Sequence, residues 1–284
     1  MLKSKALLSA VLATSLVGCA AKQKTFSLSS SKDNDKVALG KALSTMTPRS
    51  QGPVNALGKP LAFLVGRKKA AREIVAYDLN SKSVLWRKNA DVRSRIVVSQ
   101  NVVSQLEGEN QLVGRSIAKG QKLWTWQMPG ELVGTAADKN TIYATVKSSS
   151  GKKDKVWMLV SLDAQSGKEK WRADSNGALG TPAAMGGLVF SPYLKQWLSI
   201  LDAKTGKQLA RIKGEDQEIS FIKANHDGVY FGSKSGVFAL DSKAASGKVK
   251  KSSYASLTLP AEMPRLQYYA DSFDPVQALS LIHI

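Results

Sequence analysis

The side chains that perform most enzyme chemistry are scarce in this sequence. Its 284 residues include one cysteine, Cys19, and two histidines, His226 and His283. No nucleophile, histidine and aspartate can be argued to form a triad, and no group of carboxylates and histidines has metal-ligand spacing. His226 stands in the turn-type sequence Asn-His-Asp-Gly, where a solvated histidine is the common case. The sequence therefore predicts neither a catalytic set nor a metal site.

Two tripeptides, Ser166-Gly167-Lys168 and Thr205-Gly206-Lys207, resemble the end of a phosphate-binding loop. That loop also needs a glycine five positions before the glycine of Gly-Lys. Leucine stands at this position in both cases, at Leu162 and Leu201. Because both tripeptides recur at one place of a repeat, we interpret them as structural turns.

Cys19 carries a different chemistry, because it directly follows Leu16-Val17-Gly18, whose small residues give a peptidase access. Lys3 and Lys5 precede an apolar core from Ala6 to Val17, which is short for a membrane span. The order basic, apolar, small and cysteine is typical of a bacterial lipoprotein signal. The cysteine thiol of such a signal is the nucleophile that accepts the lipid.

This pattern predicts a lipoprotein signal peptide over residues 1–18 and lipid attachment at Cys19. The alternative is an ordinary signal peptide with an incidental cysteine. By the sorting rule for such lipoproteins, aspartate after the cysteine favours the inner membrane, but Ala20 and Ala21 follow here. The predicted location is the outer membrane, with a lipid anchor and the folded part facing the periplasm.

One unit recurs five times along the chain. It begins with Asp or Ser, has Gly or Lys four residues later and an aromatic residue eight residues later. The starts of the five units are 38, 47, 39 and 39 residues apart. Its members are Asp78, Lys82 and Trp86; Ser116, Gly120 and Trp124; Asp163, Gly167 and Trp171; Asp202 and Gly206, with Ala210 in place of the Trp; and Asp241 and Gly247. This period with strand-rich units predicts propeller blades.

The residue types of the unit explain this interpretation. An apolar run such as Trp157–Val160 reads as a strand, and the Asp carboxylate then accepts hydrogen bonds from backbone N–H groups two residues on. Gly supplies the positive φ of the turn, and the following strand carries a Trp that can bury a large area against the next unit. We predict an all-β fold of four-stranded antiparallel blades, about five of them with the start of a sixth near Leu266–Tyr269.

The chain is strongly basic, with 41 Lys and Arg against 22 Asp and Glu and a formal charge of +19. Loops between the second and third strands emerge on one face of a propeller, so their charges would form a basic face, interrupted in unit two by Glu107 and Glu109. Its members are Arg67, Lys68, Lys69, Arg72, Lys147, Lys152, Lys153, Lys155, Lys195 and Lys234. Anionic lipid head groups or an acidic protein surface would bind it, and nucleic acid is not expected for an exported chain. The alternative is that the charge serves solubility alone, since Gly-Lys turns make the opposite face basic too.

The segments Gly228–Ser233, Gly236–Asp241 and Leu201–Lys207 resemble the repeat of PQQ-type β-propellers, and the resemblance covers roughly residues 60–250. A lipobox followed by such blades is similar to the BamB family of lipoproteins. The resemblance implies an eight-bladed scaffold in which each outer-strand Trp docks on the next blade. It further implies a non-enzymatic protein without a cofactor, which binds the outer-membrane β-barrel assembly machinery.

The alternative from another class is a periplasmic quinoprotein dehydrogenase or a ligand-sensing propeller. Such an enzyme needs a catalytic carboxylate, a metal cluster and often adjacent cysteines beside its cofactor. The mature sequence offers only Cys19, so we do not predict an enzyme.

The predicted organisation has four parts: a signal peptide over 1–18, a flexible tether over 19–58, a partial propeller over 59–278, and a foreign tail over 279–284. The tether is rich in Ser, Lys, Gly and Pro, with one short helical segment near Val37–Leu43. The last six residues, Leu-Ser-Leu-Ile-His-Ile, are what the end of a transposon adapter used in sequencing libraries encodes. We therefore expect the natural sequence to continue beyond Ala278.

Overall fold

The computed structural model describes residues 26, 36–47, 55–68, 71–148, 156–213, 219–224, 228–233, 236–241 and 255–256. These residues form five antiparallel sheets and a helix, so the predicted all-β class is confirmed. Each sheet is an up-and-down meander whose strands follow chain order, and we number the sheets as blades 1 to 5.

The first three blades contain eleven strands. Blade 1 has β1 (Leu61–Lys68), β2 (Ala71–Asp78) and β3 (Ser83–Asn89). Blade 2 has β4 (Val97–Val98), β5 (Val102–Glu107), β6 (Gln111–Ser116) and β7 (Lys122–Gln127). Blade 3 has β8 (Gly130–Asp138), β9 (Thr141–Ser148), β10 (Val156–Asp163) and β11 (Glu169–Ser175).

The last two described blades have four strands each. Blade 4 has β12 (Ala183–Met185), β13 (Leu188–Tyr193), β14 (Trp197–Asp202) and β15 (Gln208–Lys213). Blade 5 has β16 (Phe221–Ala224), β17 (Gly228–Ser233), β18 (Gly236–Asp241) and β19 (Ala255–Ser256). The prediction of four-stranded antiparallel blades is thereby confirmed, with three described strands in blade 1.

Successive blades pack face to face around their first strands. β4 contacts β8, β8 contacts β12, and β12 contacts β16, which places these strands together on the inner side of the array. Four hydrophobic clusters fill the spaces between blades 1 and 2, 2 and 3, 3 and 4, and 4 and 5. The core is therefore a series of seams between blades, because a sheet must bury its apolar faces against another element.

The two ends of the strands carry different connections. In blades 2 to 4 the third strand joins the fourth through the repeated Asp or Ser turn, for example at Asp163–Lys168, and in blade 1 the turn at Asp78 joins β2 to β3; we call this end the Asp end. The second strand joins the third at the opposite end, for example between Tyr193 and Trp197, and we call it the Tyr193 end. A strand of eight residues separates the two ends by about 25 Å.

The helix α1 (Lys36–Ser44) differs from the predicted tether. Leu39, Ala42, Leu43 and Met46 are buried in the seam between blades 4 and 5, and α1 contacts β15. Their spacing of i, i+3, i+4 and i+7 gives the helix one apolar face. The backbone N–H of Thr47 also donates to the carbonyl of Gly186 at 3.1 Å. Residues 36–47 are thus part of the folded unit.

The segment after Val65 also differs from its prediction. Gly66–Arg72 was expected to be a loop, but β1 runs to Lys68 and β2 begins at Ala71. The two strands pair in register through Arg67 and Arg72. The strand pattern outweighs the local excess of charge, because a hairpin at a sheet edge tolerates Lys and Arg.

Candidate functional site

The repeated turn is built by its aspartate. The Oδ1 of Asp163 accepts hydrogen bonds from the backbone N–H groups of Gln165 at 3.1 Å and Ser166 at 3.0 Å. The Oδ1 of Asp202 does the same for Lys204 at 3.1 Å and Thr205 at 2.7 Å. These bonds satisfy N–H groups that the tight turn leaves without backbone partners.

The residue four positions after the aspartate takes a left-handed conformation. Its φ is 66° at Gly120, 68° at Gly167 and 71° at Gly206. In blade 1 the same place is held by Lys82 with a φ of 51°. Only glycine adopts this conformation without steric cost, so Lys82 marks a strained copy of the turn.

Each tryptophan of the outer strand docks on the turn of the following blade. The Nε1 of Trp86 donates to the carbonyl of Ile117 at 2.6 Å, that of Trp124 to Ala164 at 2.7 Å, and that of Trp171 to Ala203 at 2.9 Å. The acceptor is always the residue that follows the Asp or Ser, so all three seams use one geometry.

The ring also explains why glycine is needed. A Cβ added at Gly167 would lie 2.7 Å from Cδ2 of Trp124, and one at Gly206 would lie 2.7 Å from Cε3 of Trp171. A Cβ at Gly120 would lie 2.5 Å from Cε3 of Trp86. The glycine therefore serves both the backbone conformation and the close approach of the indole.

Sequence reasoning missed the cross-strand partner of this tryptophan. Ala76 lies opposite Trp86, Gly114 opposite Trp124, and Ser161 opposite Trp171. In blade 4 the sizes are reversed, because Ile200 lies opposite Ala210. The sequence does carry this signal. The residue two positions before each turn is small where the outer strand has a Trp, and it is large in blade 4, where Ala210 stands in place of the Trp.

The charge of unit two is arranged differently from the prediction. Glu107 was expected to interrupt a basic face, but the side chain is buried and forms a bidentate pair with Arg115. The Nε–Oε1 distance is 2.9 Å and the Nη2–Oε2 distance is 3.0 Å, and Gln105 donates to Oε1 at 2.7 Å. Glu109 is exposed. The negative charge of Glu107 is therefore neutralised inside the blade.

A polar cleft of about 630 Å³ lies between blades 1 and 2. Arg72, Arg93, Arg115 and Lys122 contribute positive charge to its lining, and Asp91 and Glu107 contribute negative charge. Arg72 lies 3.2 Å from Asp91, and Arg93 lies 2.8 Å from the same carboxylate. The excess of two positive charges makes the cleft mildly favourable for anions.

The structure describes only some residues of the predicted basic face. Arg67 and Lys68 lie in β1, and Arg72 is the second residue of β2 and forms an ion pair with Asp91. Lys147 is half-buried over the Trp157 ring, and Lys195 is exposed. The other sequence-predicted residues that lie outside the described ranges are Cys19, Lys69, Lys152, Lys153, Lys155, Lys234 and Gly247.

Two turn carboxylates have depressed pKa values. The Lys59 ammonium, 3.0 Å from Oδ2, holds the pKa of Asp78 below its usual value. Burial tends to raise the pKa of Asp163, but hydrogen bonds from Ser166 and the charge of Lys170 outweigh it and lower the pKa. Both carboxylates are therefore ionised wherever the turn is folded at neutral pH.

Among the described residues no three His, Cys, Asp or Glu side chains are grouped so that they could hold a metal ion. Within the same ranges no helix has the length and apolarity needed to cross a membrane.

Meandering four-stranded blades, inner first strands and tryptophan-docked Asp-Gly turns together define a PQQ-type β-propeller. A family model described as outer membrane protein assembly factor BamB matches residues 36–158 and 134–255. The chain therefore belongs to the BamB family.

Solved structures that are similar to this chain have low sequence identity to it. BamB from Moraxella catarrhalis has a TM-score of 0.46 and 18% identity, over 66% of this chain and 56% of that chain. A europium-containing methanol dehydrogenase has a TM-score of 0.49 and 10% identity, over 66% and 48%. The Pan2 WD40 domain of Neurospora crassa has a TM-score of 0.48 and 12% identity, over 70% and 64%. The chain spans little more than half of that BamB structure, and no curated protein matches it.

Proposed function

We propose that this chain is a non-enzymatic scaffold that works by protein contact in the assembly of outer-membrane β-barrel proteins. The match of the BamB family model to residues 36–255 carries the proposal. The arrangement of the blades supports it. The repeated aspartates, glycines and tryptophans form the turns and join one blade to the next, so these residues have a structural role. Partners would then bind at the ends of the strands.

The proposed location is the periplasmic face of the outer membrane, with a lipid on Cys19. The lipobox before Cys19 and the alanines after it support this location. Several acyl chains on one cysteine would hold the protein firmly, because each buried CH₂ contributes about 0.8 kcal/mol. Partners would then be subunits of the barrel-assembly machinery at the same membrane.

Affinity purification from solubilised envelopes tests the scaffold role. The full tagged chain should enrich subunits of the barrel-assembly machinery over an untagged control. A Cys19→Ala variant should keep its blades and lose the membrane fraction, which separates anchoring from partner binding. Purification of the full chain without any of these subunits would contradict the proposal.

A cofactor titration tests the enzymatic alternative. Pyrroloquinoline quinone and Ca²⁺ are added to the purified chain, and cofactor absorbance is followed after gel filtration. We expect no stoichiometric retention. Retained cofactor in a one-to-one ratio would overturn the scaffold proposal in favour of a quinoprotein.

A further inference from the structure

We infer that the Tyr193 end of blades 3 and 4 faces an anionic bilayer, held there by a short link from the lipidated cysteine to Phe26. This inference rests on the proposed lipid anchor at Cys19 and adds the orientation of the propeller and the surface that meets the lipid.

Phe26 is the first observation. Its side chain is 7% exposed, belongs to the hydrophobic cluster between blades 3 and 4, and has its ring centroid 5.4 Å from that of Tyr193. Tyr193 is the last residue of β13, so Phe26 docks at the Tyr193 end of this seam. The described contacts of the chain with the blades therefore reach as far upstream as residue 26, well before β1.

The number of residues before this contact limits the height of the propeller. Phe26 follows Cys19 by seven residues, and seven residues span at most about 25 Å in any conformation. The Asp end lies about 20 Å further along the six-residue strands of blade 4. If the Asp end faced the membrane, most of the maximum length of the link would be needed merely to reach from the lipid to Phe26. With the Tyr193 end facing the membrane, the link needs only a small part of that length.

The chemistry of the Tyr193 end suits a lipid interface. Lys213 is exposed and its Nζ lies 5.6 Å from the Trp197 ring centroid, and the Nζ of Lys147 lies 5.5 Å from that of Trp157. Tryptophan favours the depth of lipid head groups, and lysine beside it attracts anionic lipid.

The hairpin after Tyr193 supports the same assignment. Leu194 and Lys195 have φ values of 48° and 64°, an unfavourable conformation for residues with a Cβ. The Leu194 N–H donates to the Ala178 carbonyl at 2.8 Å, and the Lys195 carbonyl accepts from Ile219. This strained turn keeps Lys195 exposed at the tip of the hairpin. Backbone strain that neighbouring elements hold in place is typical of functional positions.

Charge alone does not choose an end, because the Asp end also carries exposed lysines such as Lys168 and Lys207. The position of Phe26 breaks this symmetry. Lys168 therefore offers a matched control for Lys195, because it is also an exposed lysine but lies at the opposite end.

The experiment places one label at each end of the lipidated full chain. Cys19 is the only cysteine, and in the lipidated protein its thiol would be blocked by the lipid, so Lys195→Cys and Lys168→Cys would each provide a single reactive thiol for a fluorophore. The labelled proteins are reconstituted in phosphatidylcholine vesicles with or without phosphatidylglycerol, and quenching by nitroxide head-group lipid is measured. Mass spectrometry of Cys19 and vesicle flotation establish anchoring separately, so that failure of the anchor is distinguished from failure of the orientation.

We expect strong quenching at position 195 and weak quenching at position 168. Phosphatidylglycerol should raise the ratio of quenched to unquenched protein at position 195 by at least about fivefold, which is the contribution of one lysine near an anionic surface, here Lys213, because the label replaces Lys195. Phe26→Ala should reduce the difference between the two labels while far-UV circular dichroism still reports folded sheet. Equal quenching at both positions, or stronger quenching at 168, would overturn the orientation. Quenching unaffected by phosphatidylglycerol would overturn the role of anionic lipid.

Discussion

Replacing Trp124 by alanine should cost the protein a large part of its stability. The indole is 8% exposed, contacts Gly167 of the next blade and donates to the Ala164 carbonyl at 2.7 Å. Truncation of a buried Trp to Ala removes apolar burial and leaves a cavity, which together cost about 3 to 5 kcal/mol. In a chain of this size such a loss corresponds to a fall in melting temperature of roughly 10 °C.

The assay is thermal and urea unfolding followed by far-UV circular dichroism, which does not depend on the deleted chromophore. Repeat arrays derive their cooperativity from nearest-neighbour interfaces. Replacement of Trp124 should therefore also broaden the unfolding transition, because blades 1 and 2 would unfold less cooperatively with blade 3.

Two variants make the result specific. Trp124→Phe keeps a ring in the seam and loses the hydrogen bond to Ala164, so its cost should be about 1 to 2 kcal/mol plus the smaller ring. Leu123→Ala alters the neighbouring residue, whose side chain is 38% exposed, and should change stability by less than about 0.5 kcal/mol. If Trp124→Ala unfolded like Leu123→Ala, docking of the tryptophan on Gly167 would not hold the blades together.

Three further perturbations test other parts of the architecture. Gly167→Ala should lower the melting temperature measurably, because alanine is strained in the left-handed conformation and its Cβ would press against the Trp124 indole. Lys82→Ala at the equivalent turn of blade 1 should leave the melting temperature nearly unchanged. Equal effects of the two substitutions would refute the double role of the glycine. Glu107→Ala should cost about 3 to 5 kcal/mol in urea unfolding, because Arg115 would remain buried without its carboxylate, and a cost below 1 kcal/mol would show that water replaces the pair. The pKa of Asp163 is lower in the folded than in the unfolded state. Its contribution to stability is therefore present above the unfolded pKa of about 3.9 and is lost as pH falls through the folded value. The melting temperature of Asp163→Asn should depend less on pH below about 4 than that of the natural protein, and an unchanged dependence would contradict the assignment.

Much of the blade could be predicted from short stretches of sequence. The strands of blades 2 to 4 follow from apolar runs bounded by turn residues, and the Asp-to-Gly spacing indicates one tight turn per blade. The interactions that form this turn join residues at most five apart, such as the 2.8 Å hydrogen bond from the Asp163 N–H to the Lys168 carbonyl. Local hydrogen bonds and φ preferences are set by the residues themselves, so they can be read without knowing the fold.

The docking of α1 and the Glu107–Arg115 pair could not be predicted in the same way. The apolar spacing of Leu39, Ala42, Leu43 and Met46 favours a helix, but nothing in that segment identifies the seam beside β15 as its binding place. Glu107 stands before a turn, and its sequence context is that of a solvated carboxylate. Its burial depends on the length and direction of the Arg115 side chain across the strand pair.

The sequence by itself determined that this protein would be made of repeated antiparallel blades, each with an Asp or Ser turn and, in most copies, an outer tryptophan. Only the tertiary structure decided what those residues meet. It placed Trp124 on Gly167, paired Ile200 with Ala210, and brought Phe26 to Tyr193. The physical reason is range: turns arise from neighbours in the chain, whereas docking depends on surfaces that residues tens of positions apart form only when the blades have packed.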